Sequence, residues 1–359
     1  MTYPVNASDT YKNQIRAIGY GSNTVTVGDG GMYATLKDAI DYITTLSASN
    51  LETLDTGSFT LVNGASVLTA SAAIDAGVQG RDCYLQIDGE DWLFPFNVTD
   101  PGSSTVFKLR YPLYGRTEAA TDFSVISPKQ RYTVILLPGR HQGDGNPVIV
   151  PPFTSIVGYG KGVTFYEDQP YAATRGLIEI PSASQNVEIR GFSMMTYGSN
   201  RGASILLTES GSDVLNTGQR LIFDGLDVAS TEASEDGIWK GSTSKNVVDD
   251  ILIQNCDFEG YYDSIAIFQT IRTRILNNQI FSLASVNDVG PAQCVNIGCN
   301  SLTNAYTLIT GNKFKTYQGQ TSFGAGNNAC VISTQLNTTF DFIAKIDNNI
   351  FIHGFDLNM

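Results

Sequence analysis

Charge is scarce in this sequence, and basic charge most of all. Only 16% of its 359 residues are charged, and 22 Lys and Arg stand against 35 Asp and Glu, a formal net charge of −13. No basic surplus exists to release phosphate counterions, which argues against a nucleic-acid partner. Histidine is nearly missing. His141 and His353 stand far apart, so spacing assembles neither a Ser-His-Asp arrangement nor a histidine metal site. The five cysteines (Cys83, Cys256, Cys294, Cys299, Cys330) are odd in number and irregularly spaced, which does not make a disulfide framework. Cys294 and Cys299 have no histidine nearby and read as small buried hydrophobes. No metal and no cofactor is expected. No stretch reaches the roughly 18 apolar residues of a membrane span. Met1-Thr-Tyr-Pro-Val-Asn lacks the basic start and apolar core of a secretory leader.

What is abundant is glycine, small polar residues and β-branched residues, a β-rich composition with many corners. From about Arg131 onward one short phrase recurs. It reads Asn186-Val-Glu-Ile-Arg-Gly-Phe-Ser-Met, Arg220-Leu-Ile-Phe-Asp-Gly-Leu-Asp-Val and Asp250-Ile-Leu-Ile-Gln-Asn-Cys-Asp-Phe. It returns as Arg274-Ile-Leu-Asn-Asn-Gln-Ile-Phe, Thr307-Leu-Ile-Thr-Gly-Asn-Lys-Phe and Ala344-Lys-Ile-Asp-Asn-Asn-Ile-Phe. Each unit is an alternating strand, a Gly or Asn corner and a second short apolar stretch. Aligning the corners gives Gly158, Gly191, Gly225, Asn255, Asn278, Gly311 and Asn348. The period is on the order of thirty residues, inside the window of stacked arrays. Stacked strands of this kind bond above and below, and Asn255, Asn278 and Asn348 are expected to form part of a ladder at the corner.

Earlier in the chain the pattern differs. Residues 1–24 show neither helical nor strand period and read as an arm. Residues 25–54 hold a first strand, Val25-Thr-Val, and the one helical pattern, with Leu36, Ala39, Ile40, Ile43 and Leu46 on one face. Such a helix suits the open end of a solenoid, whose strand edges and apolar cross-section need a cover. Residues 55–127 interrupt the plan with short antiparallel strands. One hairpin is expected over Asn63-Gly64, a second over Asp88-Gly89, and a further strand runs along Thr105-Val-Phe-Lys-Leu-Arg-Tyr. Residues 128–359 carry the array.

Thr24-Val-Thr-Val-Gly-Asp-Gly-Gly-Met-Tyr-Ala-Thr-Leu-Lys-Asp-Ala-Ile resembles the opening of pectin-lyase-like right-handed parallel β-helix proteins, especially pectin methylesterases and bacteriophage tailspikes. Val134-Ile-Leu-Leu-Pro-Gly and Ser155-Ile-Val-Gly-Tyr-Gly resemble their first coils, and the phrases after Gln185, with Asp236-Gly-Ile and Asp263-Ser-Ile, their generic coil. Gly57-Ser-Phe-Thr-Leu-Val-Asn-Gly, Gly80-Arg-Asp-Cys-Tyr-Leu-Gln-Ile-Asp-Gly and Phe107-Lys-Leu-Arg-Tyr-Pro-Leu-Tyr-Gly resemble a small β-domain of tailed-phage tail and fibre proteins. The resemblance implies an all-β fold: a right-handed parallel β-helix with an N-terminal capping helix and an inserted small antiparallel β-domain. It implies a virion structural protein, a β-helical tailspike- or fibre-like appendage assembled in the host cytoplasm. Such a protein attaches to the virion or binds host-surface polysaccharide, as a homotrimer with tail, neck or capsid proteins as neighbours. A tailspike-type polysaccharide depolymerase is the alternative reading, and a secreted pectin-active enzyme the third.

The chemistry such a depolymerase needs is a pair of carboxylates, one protonated and one charged. Asp227 and Asp257 each follow their corner by two residues and should stack on successive coils, outward, with Leu226, Val228, Cys256 and Phe258 inward. A second acidic group is Glu232, Glu235 and Asp236, with Asp263 aligned on the next coil. Trp239, Tyr261 and Tyr262 lie beside it as candidate glycan platforms. The alternation at Trp239 is ambiguous, since an outward indole sends Lys240 inward. Each acid also has a plain structural reading as a turn-bonding or solvated residue. Complete enzyme motifs are absent. Asp341-Phe-Ile-Ala lacks its methylesterase continuation, Ile352-His-Gly-Phe has no partner acids, Arg272 and Arg274 have no lyase-like acid context, and Gly158-Tyr-Gly-Lys-Gly has no helix after it to hold phosphate. The residues alone lean toward a non-enzymatic role.

Overall fold

The computed structural model describes residues 23–47, 51–62, 65–78, 83–87, 94–98, 102–113, 118–168, 175–181, 184–197, 202–208, 216–230, 236–240, 246–261, 263–268, 270, 272–283, 293–299, 305–318, 330–336 and 342–355. Three long sheets run through them. Sheet A has nine strands: Thr24–Val27, Tyr132–Leu136, Thr154–Val157, Gln185–Arg190, Asn216–Asp224, Asn246–Gln254, Arg272–Leu276, Ala305–Thr310 and Phe342–Asp347. Sheet B has eight, from Gly139–Gln142 through Ser193–Thr196, Asp227–Ser230 and Asp257–Tyr261 to Ile350–Phe355. Sheet C has seven, from Val148–Ile149 through Gly176–Pro181, Ala203–Thr208, Asp236–Lys240, Asp263–Phe268 and Gln293–Cys299 to Cys330–Leu336. The chain visits A, B and C in turn and then returns to A beside its previous strand, and the neighbours pair parallel. Parallel neighbours need a crossover rather than a hairpin, and here the other two sheets supply it, in the arrangement for which a right-handed path is the rule. The protein is a three-sheet parallel β-helix.

Register explains the recurring phrase. In sheet A, Ile156, Ile189, Phe223, Ile253, Ile275, Ile309 and Ile346 lie one above the next. In sheet B the column is Tyr166, Met194, Val228, Phe258, Ile280, Phe314 and Phe351. In sheet C it is Ile178, Ile205, Ile238, Ile265, Val295 and Ile332. Apart from Ile332 and the terminal Ile346 and Phe351, these residues belong to one buried cluster. Each fully buried side chain of this size contributes about 1.5–3 kcal/mol of transfer free energy. Period-two alternation thus feeds a continuous core from coil to coil.

The corner after sheet A is held in left-handed backbone at Gly191, Gly225, Asn255, Asn277, Gly311 and Asn348, with φ between 52° and 72°. Only Gly and, among ordinary residues, Asn enter this region at little cost. The alignment on Asn278 is therefore one residue out. Gln254 pairs with Leu276, so Asn277 turns the corner and Asn278 falls on the inward column that follows. That shift moves the asparagine ladder as well. Asn255 and Asn348 are corner residues, whereas the ladder runs through Asn278, Asn312 and Asn349 inside the corner. The Asn278 side-chain oxygen accepts the Cys256 N–H, that of Asn312 accepts the Asn278 N–H, and that of Asn349 accepts the Asn312 N–H, each at 2.9 Å. The amide nitrogens donate to Ile253 O, Ile275 O and Ile309 O of the coil before. Both ends of each ladder amide are thus used.

A second left-handed column crosses the sheet A strands: Phe153 just before Thr154, Asn186 near its strand start, and Arg220 and Asp250 inside theirs, with φ between 53° and 61°. Here the inserted domain docks. Tyr84 packs on Phe153 with ring centroids 5.5 Å apart and its hydroxyl accepts a hydrogen bond from the Asn186 side chain, while Ile126 joins the same buried cluster. The insert is a six-stranded antiparallel sheet ordered Leu51–Leu61, Glu118–Pro128, Tyr84–Ile87, Phe94–Asn97, Val106–Leu113, Ala65–Thr69. A bridge from Phe59 to Ala70 joins its two edges, which closes a small barrel around Leu68, Leu85, Phe107, Phe123 and Val125. The strands flanking Asn63-Gly64 meet as an antiparallel pair, with the Ala65 N–H bonded to Val62 O and the Phe59–Ala70 bridge beyond it, but their longer ladders run elsewhere. The first bonds to Glu118–Pro128 and the second to Val106–Leu113, since each strand of a closed barrel has two neighbours. The strands flanking Asp88-Gly89 do pair, Leu85 against Phe94. Asn63, Gly64, Asp88 and Gly89 themselves lie outside the described residues.

Helix α1, Leu36–Ser47, starts at Thr35. The Thr35 hydroxyl accepts the Asp38 N–H and donates to the Asp38 carboxylate, a reciprocal cap. Leu36, Ala39, Ile40 and Ile43 are buried in the same cluster as Val25, Val27, Leu136 and Val148, and Leu46 packs against it half-buried. The helix covers the first coils with its apolar face.

Candidate functional site

Asp227 and Asp257 are directly paired in register on the outer face of sheet B, with Leu226, Val228, Cys256 and Phe258 buried around them. Geometry then assigns both carboxylates structural partners. Asp227 accepts a hydrogen bond from the Ser193 hydroxyl at 3.1 Å, and Ser193 in turn accepts the Gly162 N–H. Asp257 binds the Lys161 ammonium at 2.9 Å, and Lys161 also donates to Asn255 O. The loop Gly158–Val163 is thereby strapped across two later coils. Neither Lys161 nor Ser193 stood out in the sequence, because nothing in their spacing marks contacts made 96 and 34 positions away. The Lys161–Asp257 pair is about one-third exposed on both sides, so an exchange of Lys161 for Met should lower stability by no more than ~1 kcal/mol. Guanidinium unfolding of the two proteins measures it.

Sheet C presents the other acidic group. Ile238 and Lys240 occupy interior columns, registered with Ile205 and Ile265 and with Leu207 and Ile267 respectively. Trp239 therefore points outward between Leu206 and Ala266, half-buried, and Lys240 goes in, 1% exposed. Of the two sequence alternatives, an outward indole or a core one, the structure has the first, with Lys240 inward as that alternation requires. Along this outer row stand Glu179, Leu206, Trp239, Ala266, Asn296 and Ser333, one strand spacing of about 4.8 Å apart. Asp236 and Asp263 lie three residues before Trp239 and Ala266 on successive strands. Asp263 accepts a hydrogen bond from the Asn296 amide at 3.3 Å. The Asn296 side-chain oxygen has no hydrogen-bond partner, although Asn296 is only 6% exposed. Glu179, 2% exposed, binds Arg175 Nε at 2.7 Å and accepts the Gly176 N–H. In this row Glu179, Leu206, Ala266 and Asn296 are buried and Trp239 is half-buried. It carries an indole and one amide oxygen without a hydrogen-bond partner, while Asp236 and Asp263 stand at the strand starts outside it. Asn296 was not singled out in the sequence; its pairing with Asp263 depends on register across a coil.

Glu232, Glu235 and Tyr262 lie outside the described residues, as does the side chain of Tyr261 on the sheet B strand Asp257–Tyr261. Asp341 is also outside them, and so are the side chains of His353, Cys299 and Cys330. His141 is buried, with Nε2 at 2.7 Å from Leu137 O. Burial pushes the Cys256 thiol up to about 12, which leaves it protonated and unreactive. Arg274 and Arg272 face Asp250, at 2.6 Å and 3.7 Å, on the outer side of sheet A. Among the described residues no three His, Cys, Asp or Glu side chains converge as metal ligands.

The fold defines a capped parallel β-helix that carries an inserted barrel. No family model matches the sequence, and no curated protein does either. Among solved structures, the chain is similar to the Gp54 tailspike of Acinetobacter baumannii bacteriophage AP22 in complex with A. baumannii capsular saccharide, at 9% identity, TM-score 0.33, covering 85% of this chain and 59% of that one. It is similar to the tailspike protein gp49 of Pseudomonas phage LKA1, at 9% identity, TM-score 0.28, covering 84% and 63%. It is also similar to the catalytic domain of a GH87 alpha-1,3-glucanase in complex with tetrasaccharides, at 13% identity, TM-score 0.24, covering 79% and 68%. The chain spans less than two thirds of either tailspike.

Proposed function

We propose that the protein is a β-helical appendage of a tailed-phage virion that binds a host-surface polysaccharide along the outer face of sheet C. One observation carries the reading: a half-buried outward indole, Trp239, shares its row with Asn296, whose buried side-chain oxygen has no partner, beside the stacked acids Asp236 and Asp263. Aromatic faces take the apolar side of a sugar ring, while carboxylates and amides take its hydroxyls. The resemblance of the sequence to tailspikes and to a phage-tail β-domain supports the virion setting, with tail, neck or capsid proteins as neighbours and a homotrimer as the assembly. Low basic charge argues against a nucleic-acid role for the same surface.

The test is a titration of purified protein with capsule or lipopolysaccharide chains from candidate hosts. Trp239→Ala is expected to weaken binding at least tenfold with its melting temperature within a few degrees of wild type. The Asp227→Asn, Asp257→Asn double variant is expected to bind normally. Equal binding by the Trp239 variant would remove sheet C from the reading. The stacking of Asp236 over Asp263 beside the indole favours a second reading, depolymerase activity at the same place. Size-exclusion of the polysaccharide after incubation decides it: shortened chains with wild type but not with Asp236→Asn or Asp263→Asn establish an enzyme. Light scattering at micromolar concentration reads the oligomeric state, with a trimer mass expected.

A further inference from the structure

The outer face of sheet A sorts its charges by position. Register lays out three rows along the solenoid. The central row is Glu188, Ile222, Leu252, Arg274 and Leu308. One edge row includes Arg220, Asp250 and Arg272, and the other is Arg190, Asp224, Gln254, Leu276 and Thr310. Both charges of the central row are held by an edge residue of the same chain, Glu188 by Arg190 at 3.2 Å and Arg274 by Asp250 at 2.6 Å. What remains in the centre is apolar: Ile222, Leu252 and Leu308, each half-buried in the flat of the sheet. The Arg190 and Arg274 side chains are 48% and 40% exposed, so this face is open to solvent. On one strand, Asn216–Asp224, the two edges carry opposite charge, an exposed Arg220 on one side and a half-buried Asp224 on the other. Sheet B is patterned differently. Asp257 and Glu259 stand outward two residues apart on one strand, and Lys313 and Lys315 do the same on another.

We infer that the outer face of sheet A is the surface by which copies of this chain pack on one another, side by side and parallel, around a threefold axis along the solenoid. The inference rests on the homotrimer reading above and names its interface. In a closed ring of parallel copies, one edge of each face meets the opposite edge of the next copy at the same height, while the central row meets itself at the axis. On sheet A this sets Arg220 against Asp224 of the next copy. It also places Ile222, Leu252 and Leu308 at the axis, where identical residues meet and an unpaired charge would face its own copies. An apolar centre with opposite charges at the rim is the arrangement a stable contact requires. Sheet B fails under the same operation. It would bring Asp257 towards Glu259 and Lys313 towards Lys315, like charge on like, which selects against that face. Sheet C has its outer-row residues Glu179, Leu206, Ala266 and Asn296 already buried within one chain, so they offer a second copy little new surface to cover.

Light scattering of the whole protein over a dilution series gives the concentration at which half of the trimer has dissociated. Leu252→Arg sets three like charges at the axis and is expected to raise that concentration at least a hundredfold, with the circular dichroism of wild type. Arg220→Asp and Asp224→Arg are each expected to raise it at least tenfold, and the double variant to return it to within threefold of wild type. Aspartate suits the first exchange, since Asp250 holds the same left-handed backbone one coil on. The rescue distinguishes a contact between copies from damage to one coil, and it decides the matter even if Leu252→Arg does not fold. Met195→Arg, on the outer face of sheet B and 40% exposed in wild type, should leave the trimer unchanged. A trimer that survives Leu252→Arg, or a charge swap without rescue, overturns the assignment to sheet A and leaves the homotrimer reading standing. A wild-type monomer overturns both, and a two-copy species overturns the threefold.

Discussion

Asn312→Leu is expected to destabilise the protein by on the order of 3 kcal/mol or more, because the substitution orphans several buried groups at once and each costs about 1–3 kcal/mol. The Asn312 oxygen accepts both the Asn278 N–H and the Asn278 side-chain amide, and its own amide serves Ile275 O. Asn278 and Asn312 are each 1% exposed, so water does not replace what is lost. Leucine fills the space but offers no polar atom. The contrast is Asn255→Gly at the exposed corner, where the left-handed φ of 56° is kept by glycine and the cost should be within roughly 0.5 kcal/mol. Guanidinium unfolding gives the two differences, and hydrogen exchange at Asn278 locates the first. A solenoid can lose coils stepwise, so local exchange is the cleaner reading of where stability is lost. If Asn278 stays protected in the leucine variant, the ladder is not what holds these coils in register.

Gly237→Ala should cost about 2–3 kcal/mol, by overpacking. A Cβ at this position would lie 2.3 Å from Ser264 O and 3.0 Å from Phe258 Cδ1. The first of these is backbone of the next coil, which cannot swing aside as a side chain can. Relief requires the strands Asp236–Lys240 and Asp263–Phe268 to part at the centre of sheet C, two residues before Trp239 in the strand. A loss of polysaccharide binding should therefore accompany the loss of melting temperature. Gly225→Ala tests the other use of glycine: its φ is 62° and its nearest atom is 4.0 Å away, so it meets left-handed strain of about 1–2 kcal/mol and no clash. A Gly237→Ala protein with unchanged melting temperature would mean that the coils are more loosely stacked than these distances state.

The two acidic pairs show where sequence reasoning reaches and where it stops. Spacing from the corner put Asp227 over Asp257, two residues on in each coil, whereas Asp236 was aligned with Asp263 by the resemblance of Asp236-Gly-Ile and Asp263-Ser-Ile to a generic coil. Whether those acids are available for chemistry is a different question. Asp257 is engaged by Lys161 and Asp227 by Ser193, contacts that arise because a loop of one coil folds across others. On sheet C the deciding residue is Asn296, which carries no mark in the sequence.

The sequence by itself determined the architecture: apolar alternation, a corner of Gly or Asn at a period on the order of thirty residues, and an amphipathic helix before the array. These are local properties, and a repeated local rule stacks into a solenoid with no further instruction. Tertiary structure alone decided the register of the ladder, one residue inside the corner at Asn278, Asn312 and Asn349. It also decided that Phe153 and Arg220 take left-handed backbone, residue types that announce no such turn, with Phe153 lying under the docked Tyr84. The physical reason is the same in each case. A corner's backbone needs are written into one residue, whereas a ladder bond, a strap or a docking seam depends on two residues brought together only when the coils have stacked.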